Sequence, residues 1–270
     1  MRAPVTVIVP CFRGQGTLSR ALDSVAAQSS PPEETLVVDD GNEPAVAAQL
    51  DEIARRYPDT RVLHLEQNAG LASARNAGWE EARARYVAFL DDDDGWHPRK
   101  LELQLAVMEA HPEVSLSATG LALQPQDAQT WSEPQLPLRV RAYPVRRSLI
   151  INPSQPSTWV FRQKVWRRFK PGWRHLEDHL LLLELLLDGE TVLHLDCTLA
   201  RVFADRFTSS GLTSQLWKME RAELAMYRDL HRSGRLGAAA RLGLQGISLI
   251  KYLRRLALAK PARWRKHLGM

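Results

Sequence analysis

Residues 5–9 of the chain, Val5, Thr6, Val7, Ile8 and Val9, form an almost unbroken β-branched run. The next apolar residues, Leu18, Ala21, Leu22, Val25 and Ala26, recur at helical spacing. The first pattern predicts a strand covered on both faces and the second an amphipathic helix. The alternation then repeats: strand 35–39 and helix 44–56, strand 61–65 and helix 71–84, strand 86–90 and helix 98–111. Helices of that length return the chain over a sheet between parallel strands, so the expected fold is α/β, a mostly parallel central sheet flanked by helices. Pro98 is expected in the first turn of its helix, where its missing N–H costs nothing, with Leu101, Leu105 and Met108 as the buried stripe.

From about 124 to 155 the chain turns rich in Pro and Gln and reads as irregular surface loop. Regular structure is expected again at strand 158–161, helix 176–187 and strands 191–195 and 199–203. This organisation divides the 270 residues into an α/β domain, 1–212, and a C-terminal helical segment, 213–270.

Composition changes the picture at the C-terminus. The net charge of +5 conceals an asymmetry: residues 216–270 hold 13 Lys and Arg against 3 Asp and Glu, leaving 23 against 28 in residues 1–215. Residues 232–270 carry ten basic side chains and no acidic one, a pattern suited to phosphates. Leu242, Leu249, Ile250, Leu253 and Leu256 recur at helical spacing, with Arg241, Gln245, Ser248 and Arg255 on another face and Lys251 and Arg254 flanking. Basic residues interrupt the apolar run well short of the ~20 needed to span a bilayer. Two readings stand: an interfacial helix on an anionic membrane surface, or a helix packed on the catalytic domain with a basic outer face. No motif of a nucleic-acid-binding protein accompanies the charge, so no nucleic acid partner is expected. Two cysteines, Cys11 and Cys197, exclude a disulfide scaffold, and no secretory pattern opens the chain. A cytoplasmic location, peripheral on the inner membrane face in the first reading, is the expectation.

The residues that carry chemistry lie at strand ends. Asp91, Asp92, Asp93 and Asp94 follow the apolar strand 86–90 and precede Gly95-Trp96-His97-Pro98. Four adjacent carboxylates repel one another without a cation, and oxygen donors at a sheet's C-terminal edge suit Mg²⁺ or Mn²⁺ beside nucleotide phosphates. An acidic turn capping the next helix is the bland alternative. A second cluster, Asp39-Asp40-Gly41, ends the second strand and offers acceptors to a base or ribose, or is a polar turn. A third element, residues 68–78, opens a helix with small residues and Arg75, which favours an anion or pairs with a neighbouring acid.

Together these motifs resemble glycosyltransferase family 2, whose members have the GT-A fold, over most of residues 4–210. The family's V-P-x-Y-N motif is seen as Val9-Pro10-Cys11-Phe12-Arg13 and its V-D-D-G-S as Val38-Asp39-Asp40-Gly41-Asn42. Its N-x-G-x-x-x-A-R-N runs from Asn68 to Asn76, and F-L-D-x-D-D-x-W-x-P-x-K-L from Phe89 to Leu101.

The resemblance implies an inverting, metal-dependent transfer of one sugar from a nucleoside-diphosphate sugar, UDP being the commonest nucleotide, to a saccharide or lipid-linked saccharide acceptor. It implies that Pro10, Cys11, Phe12 and Arg13 line the nucleoside pocket and that Asp39 contacts the base. Asp40, Arg75 and Asp92 would belong to the donor site, and Asp91 with Asp93 would form the DxD pair on Mn²⁺ or Mg²⁺. Asp178, in the pair Glu177-Asp178, would be the catalytic base, with Glu177, Trp159, Trp173 and His175 on the acceptor side.

Two departures stand out: Cys11 and Arg13 replace the common Thr and Asn, and the family's R-x-H-x-x-S segment is reduced to Arg201-Val202-Phe203-Ala204-Asp205, without the His. A catalytically silent GT-A binding protein is therefore one alternative. Another is an NAD(P)-dependent oxidoreductase, since Gly14-x-Gly16-x-x-Ser19 precedes Asp39 by about 20 residues.

Overall fold

The chain's first four strands pair in parallel, as the alternation predicts. β1 (Ala3–Cys11), β2 (Pro32–Asp39), β3 (Thr60–His64) and β4 (Tyr86–Phe89) are linked by α1 (Leu18–Ala26), α2 (Pro44–Ala54) and α3 (Leu71–Glu81), and lie in the order β3-β2-β1-β4. The computed structural model describes residues 2–124, 130–203 and 212–267. In it Val5, Val7, Ile8 and Val9 are fully buried, which is why β1 shows no hydrophobic alternation: helices cover both its faces.

Beyond β4 the sheet is mixed. After β5 (Asp94–Trp96) and α4 (Lys100–Ala110) come β6 (Val114–Gln124), β7 (Val140–Ala142), α5 (Val145–Ser148), β8 (Val160–Arg162), α6 (Glu177–Leu187) and β9 (Thr191–Phe203). The order continues β4-β8-β6-β9-β5, with β8 antiparallel to β4 and β6, β9 parallel to β6, and β5 and β7 antiparallel to β9. All nine described strands thus form one open sheet.

Several local expectations are corrected. The two strands expected at 191–195 and 199–203 are one strand, β9, whose register against β6 slips at Gly120 and Thr198. Strand β6 had no counterpart in the sequence reading, although Val114, Leu116 and Ala118 alternate with Ser115, Ser117 and Thr119 at strand period. All three polar residues are buried, and Gln104 Nε2 donates to both the carbonyl and the hydroxyl of Ser117. The stretch expected to be irregular holds the end of β6, β7 and α5, while residues 125–129 of it lie outside the described residues. Pro98 precedes α4 instead of opening it. Gln28 reaches across to accept from the Leu101 N–H and donate to the His97 carbonyl, fixing the helix start two residues later.

Two compact units result, one of residues 1–144 and 153–207 and the other of 145–152 and 208–270, so the second unit takes α5 along with the C-terminal segment. Within that second unit α7 (Leu212–Arg232) and α8 (Ala238–His267) run antiparallel, with Met226, Tyr227, Leu230, Leu236 and Leu244 buried. Ala204 and Asp205, part of the reduced R-x-H-x-x-S segment, lie outside the described residues.

Candidate active site

The acidic run is a tight turn between β4 and β5, closed by the Asp94 N–H donating to the Asp91 carbonyl at 3.0 Å. Its four carboxylates have four different surroundings. Asp94 is fully buried and accepts the Ser157 hydroxyl at 2.5 Å, while the same hydroxyl oxygen accepts the Asp91 N–H at 3.1 Å. Ser157 also takes the indole N–H of the buried Trp96 on its carbonyl, so one residue knits the turn to β5. Asp92 leans over the β1–α1 loop: a methyl group on Gly14 would lie 1.6 Å from its Oδ2. Burial, reinforced by Asp92, holds the Cys11 thiol well above its ordinary pKa, so Cys11 is a neutral wall of the site. Asp93 is half-buried, and its carbonyl accepts from Arg20, whose guanidinium stacks 3.8 Å from the Phe203 ring.

At the end of β2 both aspartates are buried. Asp40 accepts from the Ala69 and Gly70 N–H groups and from Asn68 Nδ2, which ties the β2 end to the start of α3. Burial raises its pKa against those bonds. Asp40 is therefore committed to holding the loop although it borders the cleft, and does not present a free carboxylate to a donor. Asp39 accepts two bonds from Asn42 on Oδ1 and meets His64 Nδ1 at 2.7 Å on Oδ2; this bond, against partial burial, raises the His64 pKa. Gly41 follows with φ +68, and a methyl there would strike the backbone of Gln67 at 2.2 Å.

Pro10, Cys11, Phe12, Asp40, Gly70 and His175 border an open cleft of about 450 Å³, with Arg174 at its rim. Phe12, 44% exposed, lines both it and a second recess of about 480 Å³ that Arg13, Asn42 and Asn68 also border. The two recesses, with Phe12 and Asn68 in common, make up a groove at the C-terminal ends of β1 and β2, where open α/β sheets bind nucleotides. Of the three described non-glycine residues with positive φ, Arg13 and Leu176 flank this groove. A left-handed leucine costs on the order of 1–3 kcal/mol, and such strain persists where the surroundings over-determine it.

Leu176 starts α6 and so aims Glu177 and Asp178. Arg75 joins this helix to the acidic turn: its guanidinium is 1% exposed, donates to Asp91 at 2.7 Å and to Glu177 at 3.0 Å, and lies 5.2 Å from the Phe169 ring. Burial opposes its charge, but Asp91 and Glu177 outweigh it and its pKa is raised. Arg75 is thus a brace between the acidic turn and the start of α6, the second of its two readings: it pairs with neighbouring acids. Asn76 completes the brace by exchanging two hydrogen bonds with the backbone of Phe169. Asp178 is half-buried in the first turn of α6, accepting the His179 N–H.

On the acceptor side His175 is exposed at the cleft and Trp173 half-buried, with Lys170 near its ring. Trp159 is corrected: it is fully buried, stacked on Phe169 at 6.3 Å and edge-on to Phe161, and its indole N–H is held by Ser154. It belongs to the aromatic floor that Trp79, Phe89, Phe161 and Phe169 build beneath the site. Ser157, Asn76, Arg20, His64 and Arg174 have no part in the sequence reading. Only Asn76, as the last letter of a quoted motif, carried a signal there.

Among the described residues no three His, Cys, Asp or Glu side chains converge as a ready-made metal cage. The two carboxylates that the resemblance assigns to a metal, Asp91 and Asp93, are half-buried residues of one turn, and Asp91 also accepts from Arg75. That fits Mg²⁺ or Mn²⁺, which keep waters and take one or two protein carboxylates together with phosphate oxygens. The glycine pair does not fit a dinucleotide site, since Gly14 faces the Asp92 carboxylate, which would repel a pyrophosphate there.

Comparison with known proteins points to one family and one fold. The family model described as "Glycosyl transferase family 2" matches residues 6–169. A Bacillus subtilis (strain 168) protein assigned to teichuronic acid biosynthesis, the glycosyltransferase TuaG, is 30% identical over 229 residues, 84% of this chain and 88% of TuaG. EpsJ of the same strain, an uncharacterized glycosyltransferase, is 31% identical over 133 residues, 49% of this chain and 38% of that protein. Crystal structures of S. aureus TarS share the fold: the UDP complex has a TM-score of 0.63 and the UDP-GlcNAc complex 0.64. Both are 19% identical and cover 92% of this chain, and 71% and 72% of the TarS chain.

Proposed function

The chain belongs to glycosyl transferase family 2, and on that premise we propose that it moves one sugar from a nucleoside-diphosphate sugar to an acceptor hydroxyl during cell-surface polysaccharide or glycolipid synthesis. The observation that carries the proposal is the buried Arg75, which binds Asp91 of the acidic turn and Glu177 of the E-D pair into one site beside the groove. A nucleotide cleft alone would fit many activities. A cleft whose metal-type carboxylates are braced to an acid pair on a separate helix fits group transfer between two substrates.

In this reading the groove beside Phe12 holds the nucleoside, with Asp39 beneath the base. Asp91 and Asp93 hold the divalent ion, which when bound offsets the charge of the departing diphosphate. Asp178 takes the proton of the acceptor hydroxyl while that oxygen bonds to the anomeric carbon; the carbon–oxygen bond to the diphosphate breaks on the opposite face, so the anomer inverts. His175 and Trp173 border the acceptor side. The UDP and UDP-GlcNAc complexes of TarS favour a UDP-sugar donor, and TuaG favours an acidic wall polysaccharide as product.

The test is thermal shift with UDP, GDP, dTDP and NAD, each with and without Mn²⁺, on the native chain and on Asp93→Ala. A ligand that binds only the native state raises its apparent stability, by about 2.7 kcal/mol at a hundredfold excess over Kd. The expected result is a Mn²⁺-dependent shift with one nucleoside diphosphate, lost in Asp93→Ala. A metal-independent shift with NAD alone would overturn the proposal. Donor binding with no turnover, unchanged in Asp178→Asn, would make the chain a silent binding protein.

A further inference from the structure

In the C-terminal unit, α8 turns its polar face to its partner helix. Ser248 donates to Glu220 at 2.9 Å, Lys251 to Glu223 at 2.6 Å and to the Ile150 carbonyl at 2.7 Å, and Gln245 to the Leu224 carbonyl at 3.1 Å. Ser248, Glu220 and Glu223 are buried. The apolar side is left outside: Leu242 is 60% exposed, Leu249 42%, Ile250 69% and Leu253 62%. At 3.6 residues per turn Leu242, Leu249 and Leu253 fall within about 40° of one another, with Ile250 next to them. A helix docked only on its own fold buries its apolar stripe and leaves its polar face wet; here the arrangement is reversed.

The charge says what covers the stripe. Arg254 is exposed beside it, and residues 232–270 hold ten basic side chains and no acidic one. A second copy of the chain laid on this face would set two such basic segments against each other with no acid to pair them. Nucleic acid would meet the arginines but would leave the aliphatic stripe in water. A surface with an apolar interior and anionic headgroups satisfies both, and no described helix is long and apolar enough to cross it.

We infer that α8 is a membrane-docking helix that lies on an anionic lipid surface, with Leu242, Leu249, Ile250 and Leu253 seated among the acyl chains and Arg254, which flanks them, on the headgroup phosphates. The inference does not depend on the transferase reading. It gives the enzyme a standing position at the surface where a lipid-linked acceptor is presented.

The experiment is sedimentation of the full-length chain with vesicles of phosphatidylcholine, with and without phosphatidylglycerol. The chain is expected to sediment only with the anionic vesicles. Ile250→Ser with Leu253→Ser should weaken binding roughly tenfold or more, since a buried aliphatic side chain contributes about 1.5–3 kcal/mol. Arg254→Gln should weaken it about fivefold, and added salt should weaken it too. All three positions are exposed, so the thermal melts of these variants should match the native one, as should their donor-induced thermal shift. Three results would overturn the inference: no sedimentation with either vesicle, equal sedimentation with both, or a dimer that the serine variants dissociate without any vesicle binding.

Discussion

Arg75 and Glu177 meet at 3.0 Å across 102 positions of sequence, with the arginine side chain 2% exposed and the glutamate 10%. A buried charge is stable only when its partners are present, and Arg75 pairs with both Glu177 and Asp91 at this point. Replacing it with methionine leaves two carboxylates desolvated. The expected cost is about 3–5 kcal/mol in urea unfolding. Arg75→Lys should recover part of the stability but less of the turnover, because an ammonium has no planar fork to span two carboxylates.

Ser157 should behave as a positioning residue. Its hydroxyl donates to Asp94 and its oxygen accepts the Asp91 N–H, so Ser157→Ala leaves a buried carboxylate short of a donor. A loss of about 1–3 kcal/mol is expected. Metal-dependent donor binding should weaken alongside, and an unchanged urea midpoint would show that the turn is held by something else.

The two glycines of the first loop should respond differently. A methyl at Gly14 would collide with the Asp92 carboxylate at 1.6 Å, whereas nothing lies within 4 Å of one at Gly16. Gly14→Ala is expected to weaken donor binding by about tenfold, roughly 1.4 kcal/mol, and Gly16→Ala to leave it unchanged. Equal effects of both on titration calorimetry with the donor nucleotide would contradict the placement of Asp92.

His64 predicts a pH dependence. Its bond to Asp39 raises its folded-state pKa above the ordinary 6.5, so the native state binds the proton more tightly than the unfolded chain. The sign follows from linkage: the contribution is fully present below pH 6.5 and is lost as pH rises through the raised value. Thermal melts between pH 6 and 9 should therefore decline more in the native chain than in His64→Gln. A parallel decline would remove His64 from the account.

Trp159 and Trp173 separate floor from surface. Trp159→Ala should cost about 3–5 kcal/mol of stability, because the ring is fully enclosed among Phe161 and Phe169. Trp173→Ala should leave the melt nearly unchanged and act, where it acts, on acceptor KM.

The sequence's periodicity was sufficient for β1 to β4 and the helices α1 to α4, because each of those elements is dictated by neighbours a few positions away and by burial on one face or two. It missed β5, three residues leaving the acidic turn that are held as a strand only by pairing with β9, about a hundred residues on. In β6 the alternation is visible, but that both faces are buried is not: Ser115, Ser117 and Thr119 are polar and yet enclosed, with Gln104 bonded to Ser117. The motifs likewise singled out the carboxylates at the strand ends without marking how each is held.

By itself, then, the sequence determined the alternation of the first four strands with the helices that follow them, the family and the set of acids at the strand ends, since these follow from side-chain chemistry and short-range spacing. Only the tertiary structure decided the partners: Asp94 on Ser157, Asp40 on the start of α3, Arg75 between Asp91 and Glu177, Trp159 in the floor and the leucines of α8 outside. The physical reason is that a charge's role depends on what desolvates and neutralises it. In this chain those groups arrive from 16 to 102 residues away, through packing that no local pattern encodes.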